Sequence, residues 1–316
     1  MTHYVLRRLA LLLPTLLVVG SIAFAITHAL PGDPAAIMLG PEATPAQVAD
    51  LRTDLALDDP LWQRYVAWMG DLVRLDLGRS IYLDRPVTEL LSERLAPTLQ
   101  LAAYALVVAV AVGLPAGIAA SRRPGSTLDR ALTLLATSAS AVAGFFLAIL
   151  LILLFAVHLD WLPAGGSVAL LNDPLGHALA MLLPALALGL PLAGVPARVV
   201  RASLLDVAEL DHVVAARARG IPRRAILLRH ELRPALVPTA TVLGYSVGDL
   251  LGGAVIVETV FNLPGIGQLV ASSIGQRDLL VLQGAVLLVA GFHVVASLMA
   301  DVASAALDPR LTHVRR

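Results

Sequence analysis

Six long apolar runs constrain this chain more than anything else in it: Leu9–Leu30, Thr98–Ala120, Ala131–Val157, Ala178–Ala197, Thr239–Val260 and Leu279–Ala300. A helix rising about 1.5 Å per residue needs roughly 20 residues to cross about 30 Å of hydrocarbon, and every run is long enough. In lipid the backbone must close its own hydrogen bonds, so such runs read as helices rather than strands. Composition agrees. The chain is 58% apolar and only 15% charged, whereas soluble domains carry about 25% charged residues. One globular core cannot hide this excess. The expected fold class is therefore an all-α polytopic membrane protein with six transmembrane helices.

The first run follows Arg7 and Arg8, as a secretory signal would. It ends in His28-Ala29-Leu30-Pro31-Gly32, however, with no small-x-small cleavage site, so an uncleaved anchor is expected. Orientation comes from arginine placement. Arg122, Arg123 and Arg130 lie between the second and third runs, and a dense arginine set fills the connection between the fourth and fifth. The short loops 158–177 and 261–278 carry only Arg277. Both termini are therefore expected in the cytoplasm.

Other features exclude whole classes of activity. The 23 basic residues are all arginine, balanced by 23 acidic ones. A chain without lysine has no P-loop lysine and no Schiff-base lysine. Without cysteine it has no disulfide, no thiolate metal site and no cysteine nucleophile. Zero net charge argues against bulk electrostatic binding of nucleic acid. Energy for any uphill work must come from a partner or a gradient.

Three parts are expected: residues 1–97, a first helix plus a long extracytoplasmic segment; residues 98–311, a five-helix core; and a short tail, 312–316. Within the first, Leu61, Tyr65, Trp68, Leu72 and Leu75 recur at helical spacing and predict an amphipathic helix against the outer membrane face. Such a segment serves either as a structured loop or as a lid or docking platform. Within the core, the cytoplasmic connection 198–238 is the informative piece. The spacing of Leu204, Val207, Leu210, Val214 and Ala218 predicts a helix over Ser203–Arg219. Gly220 stops it, and Pro222 opens a second helix through Leu232. Two short helices joined at a glycine bend make a protruding hook. An arginine-rich loop obeying only charge asymmetry would need neither stripe nor bend.

Residues 211–220, Asp211-His212-Val213-Val214-Ala215-Ala216-Arg217-Ala218-Arg219-Gly220, resemble the EAA motif of ABC-importer permeases, in particular the dipeptide/oligopeptide/nickel branch. Val214 stands where that motif begins with glutamate. Further words agree in order and spacing: Pro31-Gly32-Asp33-Pro34, Asp76-Leu77-Gly78-Arg79-Ser80, Pro97-Thr98-Leu99, Leu162-Pro163-Ala164-Gly165-Gly166, Val257-Glu258-Thr259-Val260-Phe261 and Leu307-Asp308-Pro309-Arg310. The resemblance implies a type I importer fold and a non-catalytic permease in the bacterial inner membrane. It implies that this chain binds no cofactor itself, with ATP and Mg on two partner ATPase subunits. A second homologous permease and an extracytoplasmic solute-binding protein complete the implied assembly. Cargo would be di- or oligopeptides, or nickel or another small solute. The residues expected to couple to the ATPase are Asp211, Ala215, Ala216, Gly220 and Pro222. Ala215, Ala216 and the bend would let a partner surface approach the backbone closely.

Two carboxylates lie in the fifth run. Asp249 is near its middle, where an ionised group is costly unless it meets water or a partner. It either lines a path or is satisfied within a helix interface. Glu258, near the outer end, is either a gate element or a hydrated interfacial residue. Gly244, Gly248, Gly252 and Gly253 permit close helix packing. His293 reads as a packing residue rather than a metal ligand, and no metal site is expected. Pro184, Pro191 and Pro196 are expected to kink the fourth helix. A different class stays open: a proton-coupled secondary transporter using Asp249, Glu258 and His293 as a relay.

Overall fold

The computed structural model describes residues 14–26, 34–40, 43–54, 57–80, 82–166 and 172–307. The ends of the first apolar run, Pro31-Gly32-Asp33, Pro41-Glu42 and the tail from Asp308 lie outside the described residues. Helix α1 is Pro14–Ile26. Three short helices follow: α2 (Pro34–Leu39), α3 (Pro45–Asp54) and α4 (Leu61–Val73). The remainder is α5 (Val87–Ser121), α6 (Thr127–Ala141), α7 (Gly144–Leu151, prolonged by a π-helical stretch Ile152–His158), α8 (Pro174–Ala208), α9 (Asp211–Ala218), α10 (Arg223–Ile226), a π turn Leu227–Glu231, α11 (Leu232–Val260), α12 (Ile266–Gln276) and α13 (Leu279–Leu307). Among the described residues the sole β pairing is an isolated bridge between Arg79 and Pro86.

Among the described residues four helices are long and apolar enough to span a membrane: Val87–Ser121, Pro174–Ala208, the continuous Arg223–Val260, and Leu279–Ala300. The third apolar run is not one helix, as its sequence predicts. It is a pair, α6 and α7, bent by 100°. Val142 turns extended (φ −77°, ψ 126°) and α7 restarts at Gly144. Arg198 of α8 reaches this bend, its Nη1 donating to the Ala136 carbonyl and the Ser140 hydroxyl at 3.2 Å each. Partners outside the helix let a broken span persist at this depth.

Other runs are longer than apolarity alone indicates. Helix α5 starts at Val87 rather than Thr98, passing through Pro97 and across the boundary drawn there. Its first turns pack Val87, Leu90 and Leu91 against Ile266, Leu269, Val281 and Ala285 in a separate cluster at one end of the bundle. Helix α8 continues past Ala197 to Ala208 and stays helical through Pro184, Pro191 and Pro196.

The centre is the α5–α8 pair. A Cβ at Gly113 would lie 2.6 Å from the Ala193 carbonyl oxygen, and one at Gly189 would lie 2.7 Å from the Val108 Cβ, so only glycine lets these backbones touch. Leu101, Met181, Leu183, Leu250, Leu251, Val257 and Phe261 form the main core around that contact.

Candidate functional site

The connection 198–238 forms a hook, but not from two short helices as expected. Helix α8 carries the chain to Ala208, Glu209 and Leu210 break it, and the eight residues of α9 follow. Leu210 is extended (φ −68°, ψ 141°), and Asp211 sits in the first turn of α9, where its charge suits the helix dipole. The two-residue break shifts the register. Leu204 and Val207 face inward as the stripe predicts, but beyond the break the inward positions are Val213 and Ala216. Both pack with Val200, Ile226, Leu227 and Ala235. Ala216 is thus only 5% exposed and faces its own chain. Ala215 is exposed, and beside it Leu210 and Val214 are 47% and 50% exposed.

The hook closes at a glycine for a definite reason. Gly220 has φ +74° with open space around it. Its N–H donates to the Arg217 carbonyl at 3.0 Å and that of Ile221 to the Ala216 carbonyl at 3.3 Å. This paired closure is the Schellman termination, which needs a left-handed residue after the cap. Pro222 (φ −61°, ψ 139°) precedes α10 as its cap and is exposed. From there the helix does not end at Leu232 but continues to Val260. Arg217 Nη2 meets Glu231 Oε1 at 3.1 Å and ties the hook to the base of that long helix.

Asp249 lies on α11 in an exposed row with Tyr245, Gly252 and Ile256, spaced four, three and four residues apart. The four glycines of this helix divide in two. Gly248 lies beneath the His293 imidazole and Gly244 against Ala300, so these two seat α11 on α13. A Cβ at Gly252 would meet nothing within 4 Å, and one at Gly253 only Leu188 Cδ2 at 3.6 Å. Among the described residues no group of three His, Asp or Glu is placed to hold a metal ion.

Glu258 is not hydrated. It is 1% exposed and ties three elements together. Its Oε1 accepts from the Thr98 hydroxyl of α5 at 2.6 Å, and its Oε2 from the N–H groups of Gly267 and Gln268 at 2.7 and 3.2 Å. Thr98 Oγ1 in turn accepts from the Ile266 N–H at 2.9 Å. The carboxylate caps the first turn of α12, a favourable place for negative charge. A second polar junction joins α6 to α8: Asp129 receives Arg201 Nε at 2.5 Å and Nη2 at 2.7 Å, with the Gly125 N–H at 2.9 Å. Neither junction is legible along the sequence, because Thr98 and Glu258, like Asp129 and Arg201, are remote from each other in the chain.

An apolar helical bundle with a short helix hooked between two spans defines a multi-pass membrane protein. Comparison with known proteins makes this specific. Residues 113–313 match the family described as "Binding-protein-dependent transport system inner membrane component", and residues 1–102 match the N-terminal region of such components. A protein of Sinorhizobium fredii described as a "Probable peptide ABC transporter permease protein" is 37% identical over 310 residues, covering 98% of this chain and 99% of the relative. The glutathione transport system permease protein GsiC of Escherichia coli K12 is 40% identical over 314 residues, covering 99% and 100%. A solved structure of the methionine ABC transporter MetNI in an inward-facing conformation shares the fold, with a TM-score of 0.51 at 20% identity over 69% of this chain and 96% of that one. The chain belongs to the binding-protein-dependent transport system inner membrane component family. It is an ABC-importer permease of the bacterial inner membrane.

Proposed function

We propose that this chain is the permease subunit of an ATP-driven importer of di- and oligopeptides, built as half of a translocation path beside a second homologous permease. Two cytoplasmic ATPases, holding ATP and Mg, engage the α9 hook, and an extracytoplasmic solute-binding protein delivers cargo. The observation that carries this reading is the hook. Its inner face is committed to its own chain through Val213 and Ala216, while Leu210, Val214 and Ala215 stand outward from a rigid, Schellman-closed turn. Apolar groups on a rigid protrusion fit a cleft in a partner. The two curated relatives support peptide-sized cargo, one being described for peptide and one for glutathione. Asp249 stands on an open face of a membrane-depth helix, a position suited to a wet path and to a cargo amino group. The ATPases supply the differential affinity that switches the path between states.

Replacing Gly220 with valine tests the coupling role. A Cβ there meets no neighbour, so the substitution acts only through the left-handed backbone, which costs a non-glycine residue roughly 1–2 kcal/mol and a β-branched one more. The expected result is normal membrane insertion with lost ATPase co-purification or lost cargo-stimulated hydrolysis. Normal coupling in that variant refutes the hook as the coupling element.

A further inference from the structure

We infer that α4 is a membrane-surface helix whose open apolar row, Trp62, Val66, Met69 and Val73, is seated in the acyl-chain boundary of the bilayer. The helix has three distinct sides. One side packs on α1: Tyr65 Oη and Ser21 Oγ share a hydrogen bond of 2.7 Å, and Phe24 lies 5.3 Å from the Tyr65 ring and 5.4 Å from the Trp68 ring. A second side is polar, with Gln63 and Asp71 exposed. The third carries Trp62, Val66 and Val73, at 66%, 61% and 81% exposure, with half-buried Met69 between them. These four positions are spaced four, three and four residues apart and so lie on one line of the helix.

Depth decides what covers that line. The packing side of α4 reaches far down the bundle. Gly20 of α1 sits in a notch between Trp68 and Leu287, its Cβ position 3.1 Å from the indole Cη2 and 3.2 Å from Leu287 Cδ2. Leu287 is eight residues into the membrane-spanning window that begins at Leu279, which is roughly 12 Å along the helix. The Trp68 tip therefore lies at hydrocarbon depth. A helix anchored there cannot hold its neighbouring apolar side in bulk water.

The helix on which α4 packs is itself open and apolar: Leu17, Val18, Ile22 and Ile26 of α1 are each 52–55% exposed. An apolar row beside a lipid-facing helix, backed by a polar row, is the arrangement of a helix lying in the membrane plane. Trp62 then occupies the headgroup level that tryptophan favours. Burial keeps the Arg64 guanidinium of this helix below its ordinary pKa, partly opposed by Asp59. That agrees with a helix partly withdrawn from water on its inner flank.

The chain contains no cysteine, so single labels are placed cleanly. Spin labels at Trp62→Cys, Val66→Cys and Val73→Cys, with Gln63→Cys and Asp71→Cys as controls, are compared in lipid nanodiscs. The whole transport complex is used, with companion cysteines replaced by serine. The first three sites are expected to be severalfold more open to oxygen than to a water-soluble nickel chelate, and the two controls the reverse. Nickel access at 62, 66 and 73 overturns the inference by placing the row in water. Exclusion of both reagents overturns it too, by placing a second permease or another protein there. Trp62→Phe gives an independent reading without labels. In nanodiscs of brominated-acyl phosphatidylcholine, the tryptophan intensity lost to quenching should fall in this variant. An unchanged loss counts against the lipid seat.

Discussion

Removing the Thr98 hydroxyl by Thr98→Val, which keeps the side-chain shape, exposes how much the α5–α11–α12 junction depends on it. In the native chain Thr98 donates to Glu258 and accepts from the Ile266 N–H, and both side chains are at most 2% exposed. Valine leaves two buried groups without that partner: the Ile266 N–H and one Glu258 oxygen. Each unsatisfied group costs roughly 1–3 kcal/mol, and the carboxylate keeps two N–H donors, so a loss of about 2–4 kcal/mol is expected. Glu258→Leu goes further by stranding the N–H groups of Gly267 and Gln268, while the Thr98 hydroxyl is left with the Arg94 carbonyl at 3.3 Å as its acceptor. Glu258→Gln is the mildest, because its amide can donate to Thr98 Oγ1 while its oxygen still accepts from the backbone. The assay is equilibrium unfolding in mixed micelles for Thr98→Val, Glu258→Leu and the double variant. The second substitution should cost about 1.5–3 kcal/mol less in the presence of the first, the usual value of a hydrogen bond to a charged group. Losses that add within about 0.5 kcal/mol refute the idea that the pair acts as one unit.

Gly113→Ala places a Cβ 2.6 Å from the Ala193 carbonyl oxygen and 2.9 Å from Pro196 Cγ, and should cost about 1–3 kcal/mol by overpacking. Gly252→Ala meets open space and, in the isolated chain, should be neutral or stabilising by up to about 1 kcal/mol; the same unfolding assay compares them. Arg201→Gln removes both guanidinium bonds to Asp129 in the first turn of α6. Faster amide hydrogen exchange across residues 125–137, with α11 unchanged, is the expected result.

Apolar run length picked out the four helices of spanning length among the described residues because desolvation of the backbone dominates in lipid. It misplaced their ends because a helix continues into polar surroundings without any change of apolarity, as α5 does before Thr98 and α8 after Ala197. The break at Val142–Gly144 carries no proline or charge, so nothing in that run announces it. Gly220 was readable because a left-handed cap is a local demand. The facing of Ala216 was not, since a two-residue break at Glu209–Leu210 turned the stripe that extrapolation had carried through. The setting of Glu258 stayed open between gate and hydrated interface because its partner Thr98 lies 160 residues away.

The unbroken helix from Arg223 to Val260 runs for 38 residues, roughly 57 Å. One tip starts beside the hook and the other ends at the Glu258 junction. Gly248, pressed under His293, is a natural fulcrum between them. From it the arms measure roughly 37 Å toward the hook and 15 Å toward Glu258. A rigid rod pivoted there would swing its ends in opposite senses, and a displacement at the hook end would reach the far tip with roughly two-fifths of the travel.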